Sequence, residues 1–225
     1  MKPYFDDGKG IVIYHGDCRD VLPSLPKVDL VLTDPPYGIN MQTASQENVG
    51  RIQHTPIVGD DNVFDPTFLF EVGSEFVLFG ANNYHHLLPP KGGWIVWDKR
   101  KIDGSSDKLF GWPFELAWCS RDRFGRIYRI QHGAYLNADG KVRREHPTQK
   151  PVKLMKAILL DFPTSRSILD PFMGSGTTLV AAKQLNRKCI GIEIEEKYCE
   201  IAAKRLDAIK FMSEHPEKKK KGLFF

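Results

Sequence analysis

The chain has 225 residues, of which 41% are hydrophobic, and a formal net charge of +4. This fits one ordinary globular domain, mildly basic and so compatible with nucleic acid without demonstrating it. No run approaches the roughly 18 apolar residues that span a membrane, and the opening MKPYFDDGKG carries no apolar leader, so a cytoplasmic location is expected. Cys18, Cys119, Cys189 and Cys199 lie far apart without CxxC spacing. They read as reduced thiols, and no metal site is expected.

Ile11 to Tyr14 (IVIY) reads as a strand, and Asp17 as the cap of a helix over Cys18 to Leu25. Val28 to Leu32 (VDLVL) is short, β-branched and bounded by proline, so it predicts a buried strand ending at Asp34. It runs into Thr33, Asp34, Pro35, Pro36, Tyr37 and Gly38. Two prolines fix φ and remove two backbone donors. The carbonyls of Asp34 and Pro35 are thus held stiffly at a strand's carboxyl end, where open α/β sheets bind ligands. A carboxylate and a carbonyl can accept both hydrogens of one amino group, and Tyr37 can stack on the flat ring that carries it. A plain Pro-rich turn is the alternative reading. Ile39 to Val58 is polar and aperiodic, a long loop beside this stretch.

Phe76 to Phe79, Trp94 to Trp97 and Phe114 to Cys119 read as strands, and Lys99, Arg100 and Lys101 follow the second of them. From Arg121 to Lys150 there are eight Lys/Arg against three acids, whereas residues 1 to 60 carry five bases and eight acids. Tyr128, His132 and Tyr135 are interleaved with the arginines. Phosphate contacts with stacking aromatics suit nucleic acid, and a solvated charged face is the other reading. The nucleic-acid candidates are Lys99, Arg100, Lys101, Arg121, Arg123, Arg126, Arg129, Arg143 and Arg144.

His146 to Pro151 (HPTQKP) opens a helix over Val152 to Phe162. Ser167 to Leu169 is a strand ending at Asp170, and DPFMGSGTT (Asp170 to Thr178) leads into a helix over Leu179 to Leu185. Strand, Gly-rich turn, helix lets a ligand approach bare backbone and free N–H groups. No Lys follows the second Gly, so this is not a P-loop. Cys189 to Ile192 is a strand closed by Glu193, 17 positions beyond Gly176. An acid there is placed to hold both hydroxyls of a ribose. A helix over Glu195 to Lys210 follows, and the tail HPEKKKKGLFF is expected to be disordered.

TDPPYG, DPFMGSGTT and HPTQKP, with YHGDC and IVWDK, together resemble the beta-class (permuted) amino DNA methyltransferases, the adenine N6 and cytosine N4 family. The likeness spans roughly residues 11 to 206. It implies a Rossmann-like α/β methyltransferase fold: a mostly parallel seven-stranded sheet, helices on both faces, and circularly permuted motif order. It implies one catalytic domain over 1–210, DNA-recognition loops at 39–58 and 120–145, and a flexible basic tail over 211–225. The implied reaction moves a methyl group from S-adenosylmethionine, leaving S-adenosylhomocysteine, to N6 of adenine in double-stranded DNA. The base is flipped out and attacks directly in line, without a metal.

By this resemblance Asp34, Pro35, Pro36 and Tyr37 are catalytic, and Asp34 also borders the cofactor. Asp17 and Cys18 lie near its adenine, and Glu193 takes the ribose hydroxyls. Asp170, Phe172, Gly174, Ser175, Gly176 and Thr177 surround the methionine and ribose, and Thr148 and Lys150 approach the methionine carboxylate. Asp17 as a plain cap and Lys150 as a helix-start cation are the bland alternatives. DPPY rather than SPPY favours adenine. The rivals are cytosine N4, an RNA or protein amide substrate, and a DNA-binding module without catalysis. The lack of a Pro-Cys nucleophile argues against carbon-5 methylation. Only about 26 residues, Ser120 to Glu145, stand where larger members insert a recognition region. A homodimer is expected, a restriction partner would be a separate protein, and Gly222 to Phe225 (GLFF) suits docking on a sliding clamp.

Overall fold

The computed structural model describes residues 1–39, 58–100, 112–131 and 149–214, with side chains through 209. The expectations placed on most of loop 39–58, on Lys101, Arg143, Arg144 and Thr148, and on the GLFF tip fall outside those residues.

Among the described residues nine strands form one sheet. They are β1 (Phe5–Asp6), β2 (Ile11–His15), β3 (Val28–Thr33), β4 (Gly73–Phe79), β5 (Gly93–Asp98), β6 (Phe114–Cys119), β7 (Gly125–Arg129), β8 (Ser167–Asp170) and β9 (Lys188–Glu193). The spatial order is β1-β2-β9-β8-β3-β4-β6-β5-β7. β2, β9, β8, β3 and β4 run parallel, β6 is antiparallel to both neighbours, and β1 is antiparallel at one edge. The mostly parallel α/β sheet expected from the sequence is present, with two more strands than anticipated.

Both extra strands are edges. β1 is two residues long, too short for any period to show. β7 pairs in parallel with β5, so Gly125–Arg129 is strand rather than loop. Its Arg-rich, mostly exposed pattern hid it.

The helices α1 (Cys18–Val21), α2 (Val152–Asp161), α3 (Thr177–Gln184) and α4 (Glu196–Glu214) divide unequally between the faces. Leu154, Ile158, Leu179 and Leu206 from α2, α3 and α4 pack with Leu30, Leu32, Val77 and Ile95 of one sheet face. Among the described residues the other face (Val31, Phe76, Leu78, Ile192) meets α1, short 3₁₀ turns carrying Leu22 and Leu69, and the loop residues Phe64 and Tyr84. Pro23 at the start of one such turn, Leu22–Ser24, ends α1 earlier than the predicted Leu25. All four cysteines are unbridged and buried. Among the described residues no helix is long and apolar enough to cross a membrane, and no group of three His, Cys, Asp or Glu gathers.

Candidate active site

From the centre of the sheet, β8, β9 and β2 step one way while β3 and β4 step the other. The order reverses between β8 and β3, and a crevice opens above their carboxyl ends. Asp34 follows β3 and Asp170 ends β8. The Thr33 hydroxyl donates to Asp170 Oδ1 at 2.7 Å, stitching the two stretches 137 residues apart. A cavity of about 310 Å³ lies here, within the size range of small-ligand sites. Among the described residues, every catalytic and cofactor candidate except Gly176 lines it.

On the β8–β9 side the backbone sets the positions. Glu193 accepts from Gly174 N–H and Glu195 N–H, both at 2.9 Å, one on each oxygen. Burial pushes its carboxyl up, and those amides oppose the shift. Gly176 caps α3 with a left-handed φ of 78°. A Cβ there would sit 2.7 Å from that of Ala202 on α4. Gly176 therefore lets α3 and α4 pack closely, between Ser175 and Thr177 of the cavity wall. Arg205, which no local motif marks, donates from α4 to Ser175 O at 2.5 Å and Ser175 Oγ at 3.0 Å. Asp17 accepts from Arg19 N–H at 2.8 Å. It is thus both a helix cap and part of the cavity wall. Burial drives the Cys18 thiol up to about 12, so it is a neutral wall atom. Phe172 packs edge-on against Phe64, ring centroids 5.4 Å apart.

On the β3–β4 side long-range side chains set the positions. Both Asp34 oxygens are engaged. The Tyr37 hydroxyl donates to Oδ1 at 2.5 Å, and Lys150 donates to Oδ2. Lys150 Nζ also lies 3.1 Å from Glu115 Oε2, and Glu115 Oε1 lies 2.5 Å from Lys99 Nζ. Lys150 was expected on a cofactor carboxylate; here its partners are Asp34 and Glu115, with Phe79 beneath it. Burial pushes the Asp34 carboxyl up, and the Lys150 charge opposes that. Burial would discharge Lys150, but Asp34 and Glu115 outweigh it and hold the ammonium above its usual range. Against its own burial, Glu115 is drawn down to about 2 by Lys150 and Lys99. The Tyr37 ring lies on Gly80, where a Cβ would come within 1.9 Å of Cε1. Gly80 also has a left-handed φ of 68°, so only glycine fits that position without strain.

Asp60 fixes the end of the DPPYG turn. Its Oδ1 accepts from the N–H groups of Tyr37, Gly38 and Ile39 at 2.9, 2.9 and 3.4 Å. Nothing in the local sequence marked Asp60 or Glu115. Glu115 sits at the amino end of an antiparallel strand, and that end is the one β6 brings to the crevice edge.

The basic candidates separate into two groups. Asp98, at the carboxyl end of β5, holds Arg100 at 2.9 Å and Arg129 at 3.6 Å. With Lys99 they occupy the crevice edge. Arg121, beyond the far end of β6, forms a two-point pair with Glu75 and donates to Asp161 O. Arg126, near the start of β7, pairs with Asp161 at 2.8 Å. Arg123 lies exposed between them. Arg121, Arg123 and Arg126 thus stand at the opposite edge of the sheet from Lys99, Arg100 and Arg129. Charge density in the sequence cannot say on which edge of a sheet a basic residue falls.

The family model described as DNA methylase, of the N6/N4 methyltransferases, matches residues 80–204. The Type II methyltransferase M2.DpnII of Streptococcus pneumoniae is 54% identical over 92% of this chain and 93% of its own length. The Type II methyltransferase M.HinfI of Haemophilus influenzae is 29% identical over 93% of this chain and 72% of its own. The crystal structure of the M1.HpyAVI–SAM complex, at 27% identity, superposes with a TM-score of 0.52 over 87% of this chain and 99% of that one. The cytosine-N4-specific PvuII DNA methyltransferase shares the fold with a TM-score of 0.54, at 19% identity, over 87% of this chain and 86% of its own.

Proposed function

This chain belongs to the N6/N4 DNA methylase family, and on that footing we propose that it methylates the exocyclic N6 amino group of adenine in DNA. The observation that carries the reading is the placement of Asp34. It stands at the point where the strand order reverses, on the same cavity as Glu193. The acid in DPPY, where the resemblance offers Ser for cytosine enzymes, supports adenine.

The cavity fits S-adenosylmethionine by its own chemistry. A carboxylate oriented by two amides stands at the end of β9 for a ribose diol, with an aromatic wall at Phe172 and a Gly-rich turn at Gly174 and Ser175. Asp17 and Cys18 stand at the adenine end in this reading, and Asp170 and Thr177 beside the methionine and ribose. When bound, S-adenosylmethionine supplies a sulfonium methyl, transferred as the C–S electrons return to sulfur and leave a thioether.

The residues of this chain prepare the other reactant. An aromatic amine is a weak nucleophile because its lone pair is delocalised into the ring. Asp34 and the Pro35 carbonyl accept its two hydrogens and turn the lone pair out of that conjugation. Pro35 and Pro36 hold the acceptors stiff, so positioning and electrostatics supply the acceleration. The nitrogen then sheds one proton, and Asp34 is the nearest carboxylate to receive it. Tyr37 borders the flipped base, its ring placed by Gly80 and its hydroxyl tied to Asp34.

Residues 1–210 form one catalytic domain in this proposal, and double-stranded DNA is the substrate. Two partner expectations belong with it: a homodimer, read by light scattering, and a sliding clamp on Gly222–Phe225, read by pull-down with the last four residues deleted. The main test is transfer of label from S-adenosylmethionine to unmethylated genomic DNA, duplex and heat-denatured, with mass analysis of the nucleosides. N6-methyladenine is expected. N4-methylcytosine would keep the mechanism and move the base; no labelled nucleoside would overturn the reading.

A further inference from the structure

The Asp34 carboxylate is occupied before any base arrives, with Tyr37 on Oδ1 and Lys150 on Oδ2. Lys150 is only 5% exposed, so its ammonium depends on the carboxylates beside it. Its other neighbour is Glu115, 3.1 Å from Nζ through Oε2. Among the described residues, that buried oxygen has no donor aligned on it as a hydrogen bond. The two facts describe one arrangement. The ammonium lies within close Coulomb range of Glu115, while its aligned carboxylate hydrogen bond goes to Asp34. Glu115 thus keeps an acceptor open beside a donor that is engaged with Asp34. Lys99, 2.5 Å from Oε1, anchors the far side of the same carboxylate, so the charges alternate from Asp34 through Lys150 and Glu115 to Lys99.

We propose that Glu115 is a positioning residue for methyl transfer, receiving the Lys150 ammonium when the target amino group takes over Asp34 Oδ2. The inference rests on the methyltransferase reading above. For Asp34 to accept from the base, Lys150 must release it, and a buried ammonium stripped of its partner is strongly disfavoured. With Glu115 already beside it, the ammonium needs only to turn. One charge-assisted hydrogen bond replaces another, and no charge leaves the site. No proton changes owner in the exchange. Glu115 does not line the cavity, whereas Lys150 does, so Glu115 acts through Lys150 and touches neither base nor cofactor.

The test uses the full chain and single-turnover transfer of label from saturating S-adenosylmethionine to saturating DNA. Glu115→Gln keeps the shape and removes the charge. Its single-turnover rate is expected to fall about 100-fold, the scale of a misplaced reacting group, with cofactor and DNA dissociation constants within about threefold of wild type. Lys150→Met removes the ammonium that needs an acceptor. The double variant Glu115→Gln/Lys150→Met is therefore expected to be no slower than Lys150→Met alone. If Glu115→Gln fails to fold, Glu115→Asp retracts the charge by one methylene and is expected to show the same division between rate and binding. A wild-type single-turnover rate in Glu115→Gln, or losses that simply multiply in the double variant, would overturn the proposal. Wild-type protein that labels no DNA would remove the methyltransferase reading, and the role of Glu115 with it.

Discussion

The two halves of the crevice edge are built by different physics. On the β8–β9 side the main chain does the placing: Gly174 and Glu195 amides aim Glu193, and a left-handed Gly176 starts α3. On the β3–β4 side, side chains from remote segments do it. Lys150 reaches Asp34 across 116 residues, and Asp60 reaches back 21 to 23 residues to the DPPYG turn. A site held by local backbone geometry tolerates loss of one distant side chain; a site held by a line of buried charges does not. Asp34→Asn separates the two sides most sharply. Asn cannot accept at both terminal atoms, so methyl transfer should fall about 1,000-fold or more, the scale of losing one pre-positioned electrostatic group. Cofactor affinity, read by calorimetry, should stay within about threefold because Glu193 and its amides are untouched. A comparable loss of cofactor binding would mean that the halves are not separable.

Asp170 sits on the seam and is where pH should tell. Burial lifts its carboxyl to about 6, against hydrogen bonds from the Thr33 hydroxyl and the Phe172 N–H that pull the other way. A folded value above the unfolded one means the native state binds the proton more tightly. Ionised Asp170 therefore costs stability above pH 6, and the cost fades as pH falls toward the unfolded value near 4. Two pH units correspond to at most about 3 kcal/mol. Asp170→Asn keeps an oxygen for Thr33 and should be more stable than wild type at pH 8, with the difference shrinking steadily toward pH 4. Denaturant unfolding of the cofactor-free protein at several pH values checks this. A difference that does not change with pH would deny Asp170 its raised value.

Glu193→Gln probes the backbone-built side alone. Losing the charge from a charge-assisted pair of hydrogen bonds should weaken cofactor binding about 10- to 100-fold, or about 1.5–3 kcal/mol. The maximal rate at saturating cofactor should move much less, because Asp34 and Lys150 are undisturbed. A larger effect on that rate than on affinity would place Glu193 in the chemistry.

What could be read from the sequence follows the same division. The strand, GSG turn, helix and closing acid are contiguous in the chain, so their order and spacing reveal Asp170, Gly174 and Glu193. DPPYG is likewise contiguous, and Asp34 and Tyr37 stand out within it. Asp60 and Glu115 are ordinary acids in ordinary surroundings, FELAW and VGDDN. Their roles exist only once β6 is known to run antiparallel and the segment after residue 57 is known to return beneath the DPPYG turn. Lys150 was noticed for its motif, but its partners are set by tertiary placement. The same limit hid β7, whose Arg126 and Tyr128 find a common acceptor in Asp161 of α2.

The smallest expected effects test the division of the basic residues between the two sheet edges. Arg100 and Arg129 share Asp98, but their side chains are 40% and 57% exposed. Ion pairs that open to water are weak, about 0–1 kcal/mol, so phosphates can compete for both arginines. Each stands at the end of its strand beside the crevice, where the proposed reaction would bring the duplex. Arg123 is exposed too, but at the far edge, about 17 Å away by the rise along a six-residue strand. Arg100→Gln and Arg129→Gln should each weaken DNA binding a few-fold at moderate salt and flatten the log K against log salt slope by about 1. Arg123→Gln should change neither. Fluorescence anisotropy over a salt series measures both quantities. Equal slopes for all three variants would mean the duplex wraps the far edge as well, and the division between the edges would not describe how DNA is held.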